Sequence, residues 1–127
     1  MEYGERDAYM FLAATRLGRR YQATHLLSRM VTMSKAAADG CVYYYERASF
    51  QAAWLGYGTG EPAPGWRDAV RRTHDTLIRF HLIELVRRAG HGRGPARFRL
   101  LAPWEGEDVP WRPGAQSPDY HPGAASF

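Results

Sequence analysis

One stretch decides the fold, residues 66–88, which reads WRDAVRRTHDTLIRFHLIELVRR. In its first part, apolar or small side chains recur at steps of four, three, four and three, the period of a helix with one narrow buried seam. The seam consists of Trp66, Val70, Thr73, Leu77 and Phe80. After His81 the pattern changes, because Ile83 and Leu85 stand two residues apart, and such alternation is typical of a strand. We therefore predict a helix over 66–80 that leads directly into a strand.

A second alternating run completes a hairpin with that strand. Phe98 and Leu100 again stand two residues apart, and the residues 89–95 between the two runs read AGHGRGP. A glycine-rich segment of this kind is a strong turn signal. We predict antiparallel strands over 83–88 and 96–101.

Upstream of the deciding stretch, the pattern is mostly helical. Apolar residues at helical spacing predict three further helices: 4–17, 21–38 and 46–55. We expect the last of these to bury Phe50, Trp54 and Leu55. The β-prone run 41–45 predicts one edge strand, and the glycine- and proline-rich residues 56–65 predict a loop.

The C-terminal segment has no period. Residues 102–127 contain five prolines, two tryptophans and four acidic residues, which predicts an irregular acidic tail without a core of its own. A chain of 127 residues is long enough for one core. We therefore expect one folded domain over 1–101, mainly α with a small β-hairpin (α+β), followed by the tail.

Composition excludes several classes of protein. Hydrophobic residues make up 45% of the chain and charged residues 24%, which rules out a wholly disordered chain. The sequence has no apolar run of membrane-spanning length and no signal-like start, so we expect a cytoplasmic protein without a membrane partner. The single cysteine, Cys41, excludes an intramolecular disulfide and a cysteine-based zinc site, and we expect it to be buried.

The positive charge is concentrated in one segment. The formal net charge is +4, yet residues 66–101 alone carry nine basic and three acidic side chains. All nine basic residues are arginine: Arg67, Arg71, Arg72, Arg79, Arg87, Arg88, Arg93, Arg97 and Arg99. Arginine is suited to bidentate contact with phosphate and guanine. The clustering is the stronger signal, because a GC-rich genome also favours arginine over lysine.

The order of these elements resembles a winged helix-turn-helix domain of bacterial, phage or plasmid regulatory and replication proteins. The resemblance covers about residues 21–101. Residues 75–88 resemble the end of a recognition helix entering the first wing strand, and residues 25–30 and 39–43 resemble the helix and edge strand that precede the motif. Two features depart from the family: its junction glycine is His81 here, and the turn before the recognition helix is unusually long.

The resemblance implies that the N-terminal half of helix 66–80 enters the major groove of double-stranded DNA. Five candidate DNA-binding residues lie on this helix: Arg67, Asp68, Arg71, Arg72 and Asp75. Four more lie in or beside the wing: Arg88, His91, Arg93 and Arg97. Asp75 would accept from a cytosine amine or orient a neighbouring arginine, and Arg93 would reach the adjacent minor groove or its phosphates. The plainer alternative is that these side chains are only solvated surface.

We expect no catalytic site, metal or cofactor. The five histidines are scattered, the pair His81 and Glu84 lacks a third ligand, and the loop 56–65 is not a phosphate-binding loop. An alternative function keeps the scaffold but binds protein, either a partner or a second copy in a homodimer. Its anchors would be the N-terminal helix or four tail aromatics: Trp104, Trp111, Tyr120 and Phe127. In a mixed version, the acidic tail covers the basic surface and competes with DNA.

Overall fold

Four helices and one small antiparallel sheet form the architecture in a computed structural model, which describes residues 3–104, 109–115 and 117. The elements are α1 (Tyr3–Leu17), α2 (Tyr21–Met33), β1 (Lys35–Ala36), β2 (Val42–Tyr45), α3 (Ala48–Trp54), α4 (Trp66–Arg79), β3 (Ile83–Arg87) and β4 (Arg97–Leu100). The strand order is β1-β2-β4-β3, and every pairing is antiparallel. The α+β class, helices α1 and α4, and the β3–β4 hairpin agree with the sequence prediction.

Helix α2 is five residues shorter than predicted, because the chain after Met33 forms a strand. Lys35 pairs with Tyr43, and Ala36 pairs with Val42. Gly40 takes a left-handed φ of 81° in the turn between them, a conformation that glycine adopts without steric cost. Two predictions are therefore wrong: the helix does not reach residue 38, and β2 is not an edge strand, since it lies between β1 and β4.

Helix α3 buries a different face from the one that hydrophobicity predicted. Phe50 and Trp54 are 57% and 40% exposed, whereas Gln51 and Ala52 are almost completely buried. The amide of Gln51 can be buried because it has partners. It donates to the carbonyl oxygen of Glu46 at 3.0 Å and accepts from the His74 ring on α4. Leu55 is buried as predicted.

The core lies between the helices and the inner face of the sheet. Its largest fully buried side chains are Tyr9, Leu17, Leu26, Leu27, Met30, Tyr44, Leu77, Leu82, Ile83, Phe98, Leu100 and Trp111. Cys41 is 5% exposed, which confirms its predicted burial. The Tyr9 hydroxyl donates to the carbonyl oxygen of Leu82 at 3.1 Å and so ties α1 to the start of β3.

The described part of the predicted tail is irregular, but it packs into this core. Trp111 is fully buried, and its ring lies edge-on to Tyr9 with 6.0 Å between centroids. The Trp111 amide donates to the Leu100 carbonyl at 3.0 Å, and the Gly114 amide donates to the Glu5 carboxylate at 2.7 Å. A buried indole is unavailable to a partner, so the prediction of Trp111 as an interface anchor is wrong. Tyr120, Phe127 and all four acidic residues of the tail lie outside the described residues.

Helix α4 ends at a left-handed residue. His81 has a φ of +58°, its amide donates to Ile78, and the next amide, of Leu82, donates to Leu77, both at 3.0 Å. These two bonds form a Schellman motif, in which the residue after the cap usually is glycine. His81, the position at which the sequence departs from the family's junction glycine, therefore adopts a glycine-like backbone conformation.

Candidate nucleic-acid interface

The exposed face of α4 carries the five helix residues predicted to contact DNA. Its buried side consists of Ala69, Val70, Thr73 and Leu77. The five candidates are all exposed: Arg67, Asp68, Arg71, Arg72 and Asp75. A helix with one apolar stripe projects its remaining side chains into solvent, so the same period sets both faces.

The ion pair on this face of α4 is weak, because both of its side chains are exposed to solvent. The Arg71 guanidinium lies 3.1 Å from the Asp68 carboxylate, and both side chains are about 70% exposed (71% and 69%). Such surface pairs contribute less than about 1 kcal/mol, so a phosphate or base edge can replace the carboxylate. The Arg67 guanidinium lies over the Trp66 ring, 4.9 Å from its centroid. These contacts position the arginines along the helix, and their charges stay exposed to solvent.

The turn between β3 and β4, residues 88–96, contains the tip of the predicted wing and is called the wing turn; it is tied to the sheet at its base. Gly90 and Gly94 form an isolated bridge, and the Arg93 amide donates to the Gly90 carbonyl at 3.0 Å. Gly94 has a φ of +77° and packs directly against the Tyr45 hydroxyl. A side chain at Gly94 would displace this tyrosine. Three of the four predicted wing residues are exposed in or next to this turn: Arg88, His91 and Arg93.

Arg47 connects the start of α4 with the wing turn. A broad groove of about 1160 Å³ is lined by Arg47 together with Trp66 and Arg67. An adjoining groove of about 440 Å³ is lined by Arg47 together with Gly94 and Pro95. Because the two grooves share Arg47, the N-terminus of α4 and the base of the wing turn both lie beside this residue.

Sequence reasoning missed Arg47, which is exposed and directly precedes α3. The one sequence signal for Arg47 was its position directly before the first of the two helices α3 and α4. Sequence reasoning also missed Arg19 and Arg20, which line a groove of about 450 Å³ with Arg72 of α4. Arg20 folds back, donating to the Leu17 carbonyl at 2.9 Å. The basic surface therefore continues from α4 toward the start of α2.

Arg97 lies apart from the other predicted site residues. Its guanidinium stacks over Tyr43, 4.0 Å from the ring centroid, on the outer face of the sheet. In the strand pairing it is opposite Tyr45 and Arg87. The structure therefore brings the start of α4 and the base of the wing turn close to Arg47 and leaves Arg97 on the outer face of the sheet.

A partly buried histidine, His74, holds α3 against α4. The His74 Nε2 atom is hydrogen-bonded to the Gln51 side-chain oxygen, and its ring lies 4.6 Å from that of Phe98. Burial lowers the pKa of His74 from 6.5 to about 4, so the ring is neutral at pH 7. With an amide oxygen as partner, Nε2 must carry the proton. This contact fixes the position of the basic helix relative to α3.

Other kinds of site find no support in the described part of the chain. Within residues 3–104, 109–115 and 117, no three His, Cys, Asp or Glu side chains are grouped so that they could hold a metal ion. None of the described helices has the length and apolarity needed to cross a bilayer.

No protein-family model, curated protein or solved structure matches this chain. A function for the protein has to be argued from its own residues and geometry.

Proposed function

We propose that this protein binds double-stranded DNA as a winged helix-turn-helix protein, serving as a transcriptional regulator or a phage or plasmid replication factor. Helix α4 enters the major groove, and the β3–β4 turn contacts the neighbouring backbone. One observation carries the proposal: Arg47 lines one groove with Trp66 and Arg67 at the start of α4 and a second groove with Gly94 and Pro95 at the base of the wing turn.

The topology supports this assignment. Apart from the short strand β1, which lies between α2 and β2, the elements α2, β2, α3, α4, β3 and β4 come in the order of the family that the sequence resembles. Strand β4 lies between β2 and β3. Eleven residues, 55–65, separate α3 from α4, more than in a usual helix-turn-helix. This long connection does not separate α3 from α4, because Gln51 of α3 is hydrogen-bonded to His74 of α4.

Dimensions and charge also fit. Helix α4 has 14 residues and is therefore about 20 Å long. A helix of ordinary diameter enters the major groove, which is about 12 Å wide. Arg67, Arg71 and Arg72 lie in its N-terminal half, where recognition helices contact base edges. Asp75 lies one turn further along.

Selection of bound fragments from random duplex DNA at near-physiological salt tests the proposal. We expect one sequence to be enriched, and the double variant R71A/R72A to lose that enrichment because it removes base contacts. The matched control for each single variant, Arg71→Ala and Arg72→Ala, is Arg112→Ala, which removes one positive charge at an exposed arginine beside the β1–β2 turn. Absence of any enriched sequence, or an equal loss in the Arg112 variant, would contradict the proposal.

The second candidate is association through the N-terminal helices. Large aromatic side chains are exposed there, with Tyr3 at 79%, Phe11 at 60% and Tyr21 at 72%. Exposed aromatic residues are common interface anchors. Sedimentation equilibrium would detect a homodimer, and Tyr21→Ser should weaken it if this surface is involved. An enriched palindrome in the selection would independently indicate two-fold symmetry.

A further inference from the structure

The outer face of the sheet forms a second surface of aromatic and basic side chains. Strand register places two cross-strand rows on this face. The first row is Lys35, Tyr43, Arg99 and Glu84, and the second is Tyr45, Arg97 and Arg87. The intervening residues of β2 and β4 point the other way and are buried. The surface therefore faces away from the helices that cover the inner side.

Its positive charge is only partly compensated. Arg99 is paired with Glu84 at 2.7 Å, so these two charges offset each other. Among the described residues, no carboxylate forms an ion pair with Lys35, Arg87 or Arg97. Lys35 and Arg87 are thus left available to an anionic ligand on one side of a four-stranded sheet, together with Arg97, which makes no ion pair but interacts electrostatically with the Asp39 carboxylate.

The cations and tyrosines are stacked. Arg97 lies 4.0 Å from the centroid of the Tyr43 ring, and Arg87 lies 5.6 Å from that of Tyr45. An arginine over a ring leaves its second guanidinium plane open for another flat group. Tyr45 is itself 49% exposed. Two flat stacking positions are therefore available side by side.

An open groove runs along this face. It has a volume of about 360 Å³, and its wall includes Met33, Lys35, Tyr43, Tyr45, Arg87 and Arg97. None of its lining residues belongs to α4 or to the wing turn. The groove adjoins the wing turn at one residue, Tyr45, which also lines the groove that contains Arg47 and Gly94. Its other lining residues lie outside that groove.

We propose that this face binds single-stranded nucleic acid. Unpaired bases stack on aromatic rings and on guanidinium planes, and cations beside them neutralise the phosphates. Bases inside a duplex are already stacked on one another, so the groove selects unpaired strands. An acidic peptide would use the three cations but leave both stacking positions unused, which makes a single strand the better match.

The test is fluorescence anisotropy of a labelled oligo(dT) of about ten nucleotides, a length within the site sizes of small single-strand-binding folds. The full chain is compared with Tyr45→Leu and with the matched control Tyr45→Phe, which keeps the ring. Loss of one stacked base should weaken binding about tenfold or more in Tyr45→Leu, whereas Tyr45→Phe should stay within about twofold. Circular dichroism and thermal unfolding confirm that both variants fold.

Charge and stacking are separated by a second pair of variants. Arg97→Ala should weaken oligo(dT) binding, and Arg97→Lys, which keeps the charge but loses the plane, should restore it only in part. The salt slope for three neutralised phosphates is expected near −2. Undetectable oligo(dT) binding overturns the proposal, as does wild-type affinity in Tyr45→Leu. Full rescue by Arg97→Lys also overturns it, because a site for polyanions in general would behave that way.

The two proposed surfaces fail independently. The double variant R71A/R72A should lose duplex binding and keep oligo(dT) binding. Arg97→Ala, on the outer face of the sheet and outside the groove that contains Arg47 and Gly94, should weaken oligo(dT) binding and keep duplex binding. Displacement of oligo(dT) by excess duplex, together with its loss in R71A/R72A, would place both ligands on α4 and overturn the second site. Loss of the duplex activity alone would leave the single-strand site standing.

Discussion

Replacing His74 with glutamine should remove much of the protein's loss of stability in acid. The imidazole lies between α3 and α4, hydrogen-bonded to Gln51 and packed on Phe98. Because burial lowers the pKa of His74, the folded protein keeps this ring neutral while the unfolded chain protonates it below about pH 6.5. The unfolded state therefore binds more protons between about pH 6.5 and 4, and stability falls as pH drops through that window.

The size of the effect follows from the two pKa values of His74. Folding lowers the pKa of His74 from 6.5 to about 4. This shift corresponds to about 3 kcal/mol of unfolding free energy, which is lost once the pH is below both values. About 2 kcal/mol of that is lost by pH 5. A loss of this size is a large fraction of the stability of a small domain.

Urea unfolding of both proteins at neutral pH and at pH 5 measures the difference. Glutamine retains an amide that can donate to Gln51, but it does not titrate, so the variant should lose about 2 kcal/mol less on acidification. Contributions from the other titratable groups cancel in the comparison between the two proteins. Equal losses in wild type and His74→Gln would refute the reasoning.

Four further predictions concern DNA contacts and stability. Duplex affinity should fall with salt concentration with a log–log slope of about −4 to −6 if five or six phosphates are neutralised. Arg93→Ala should weaken binding to all DNA sequences alike, whereas R71A/R72A should relax the base preference. Trp111→Ala should cost about 3–5 kcal/mol of unfolding free energy in chemical denaturation, because the indole is fully buried, and a cost below about 1 kcal/mol would contradict its place in the core. His81→Gly should be more stable than His81→Ala by about 1 kcal/mol, because the position is left-handed; equal melting temperatures would contradict this.

Whether the tail competes with DNA cannot be tested well by deleting the whole tail. Deleting residues 102–127 would also delete Trp111, which packs on Tyr9, and would destabilise the domain itself. Replacing the acidic residues Glu105, Glu107, Asp108 and Asp119 with amides keeps Trp111 in place. Tighter duplex binding in that variant is expected if the tail masks the basic surface, and unchanged affinity would reject masking.

Elements whose local pattern agrees with their packing were predictable from the sequence. Helix α4 and the β3–β4 hairpin follow directly from a change of period at His81. The exposed arginine face of α4 was predictable for the same reason, since the buried stripe determines which side chains remain outside.

Features that depend on contacts distant in sequence were not predictable. The run 34–38 is compatible with a helix, and only its pairing with β2 makes it a strand. Gln51 is buried because His74 and Glu46 supply partners from elsewhere. Arg47 became part of the site only when the fold placed it between α4 and the wing.

Because Trp111 packs on Tyr9 near the other end of the chain, this contact affects the order in which the protein folds. Tyr9 and Trp111, and likewise Glu5 and Gly114, are contacts between segments more than a hundred residues apart, and such distant contacts form late. During synthesis, the inner side of α1 stays incompletely covered until the chain has emerged past Gly114. A nascent intermediate with α1 loosely attached is therefore expected, and the final folding step joins the two ends of the domain.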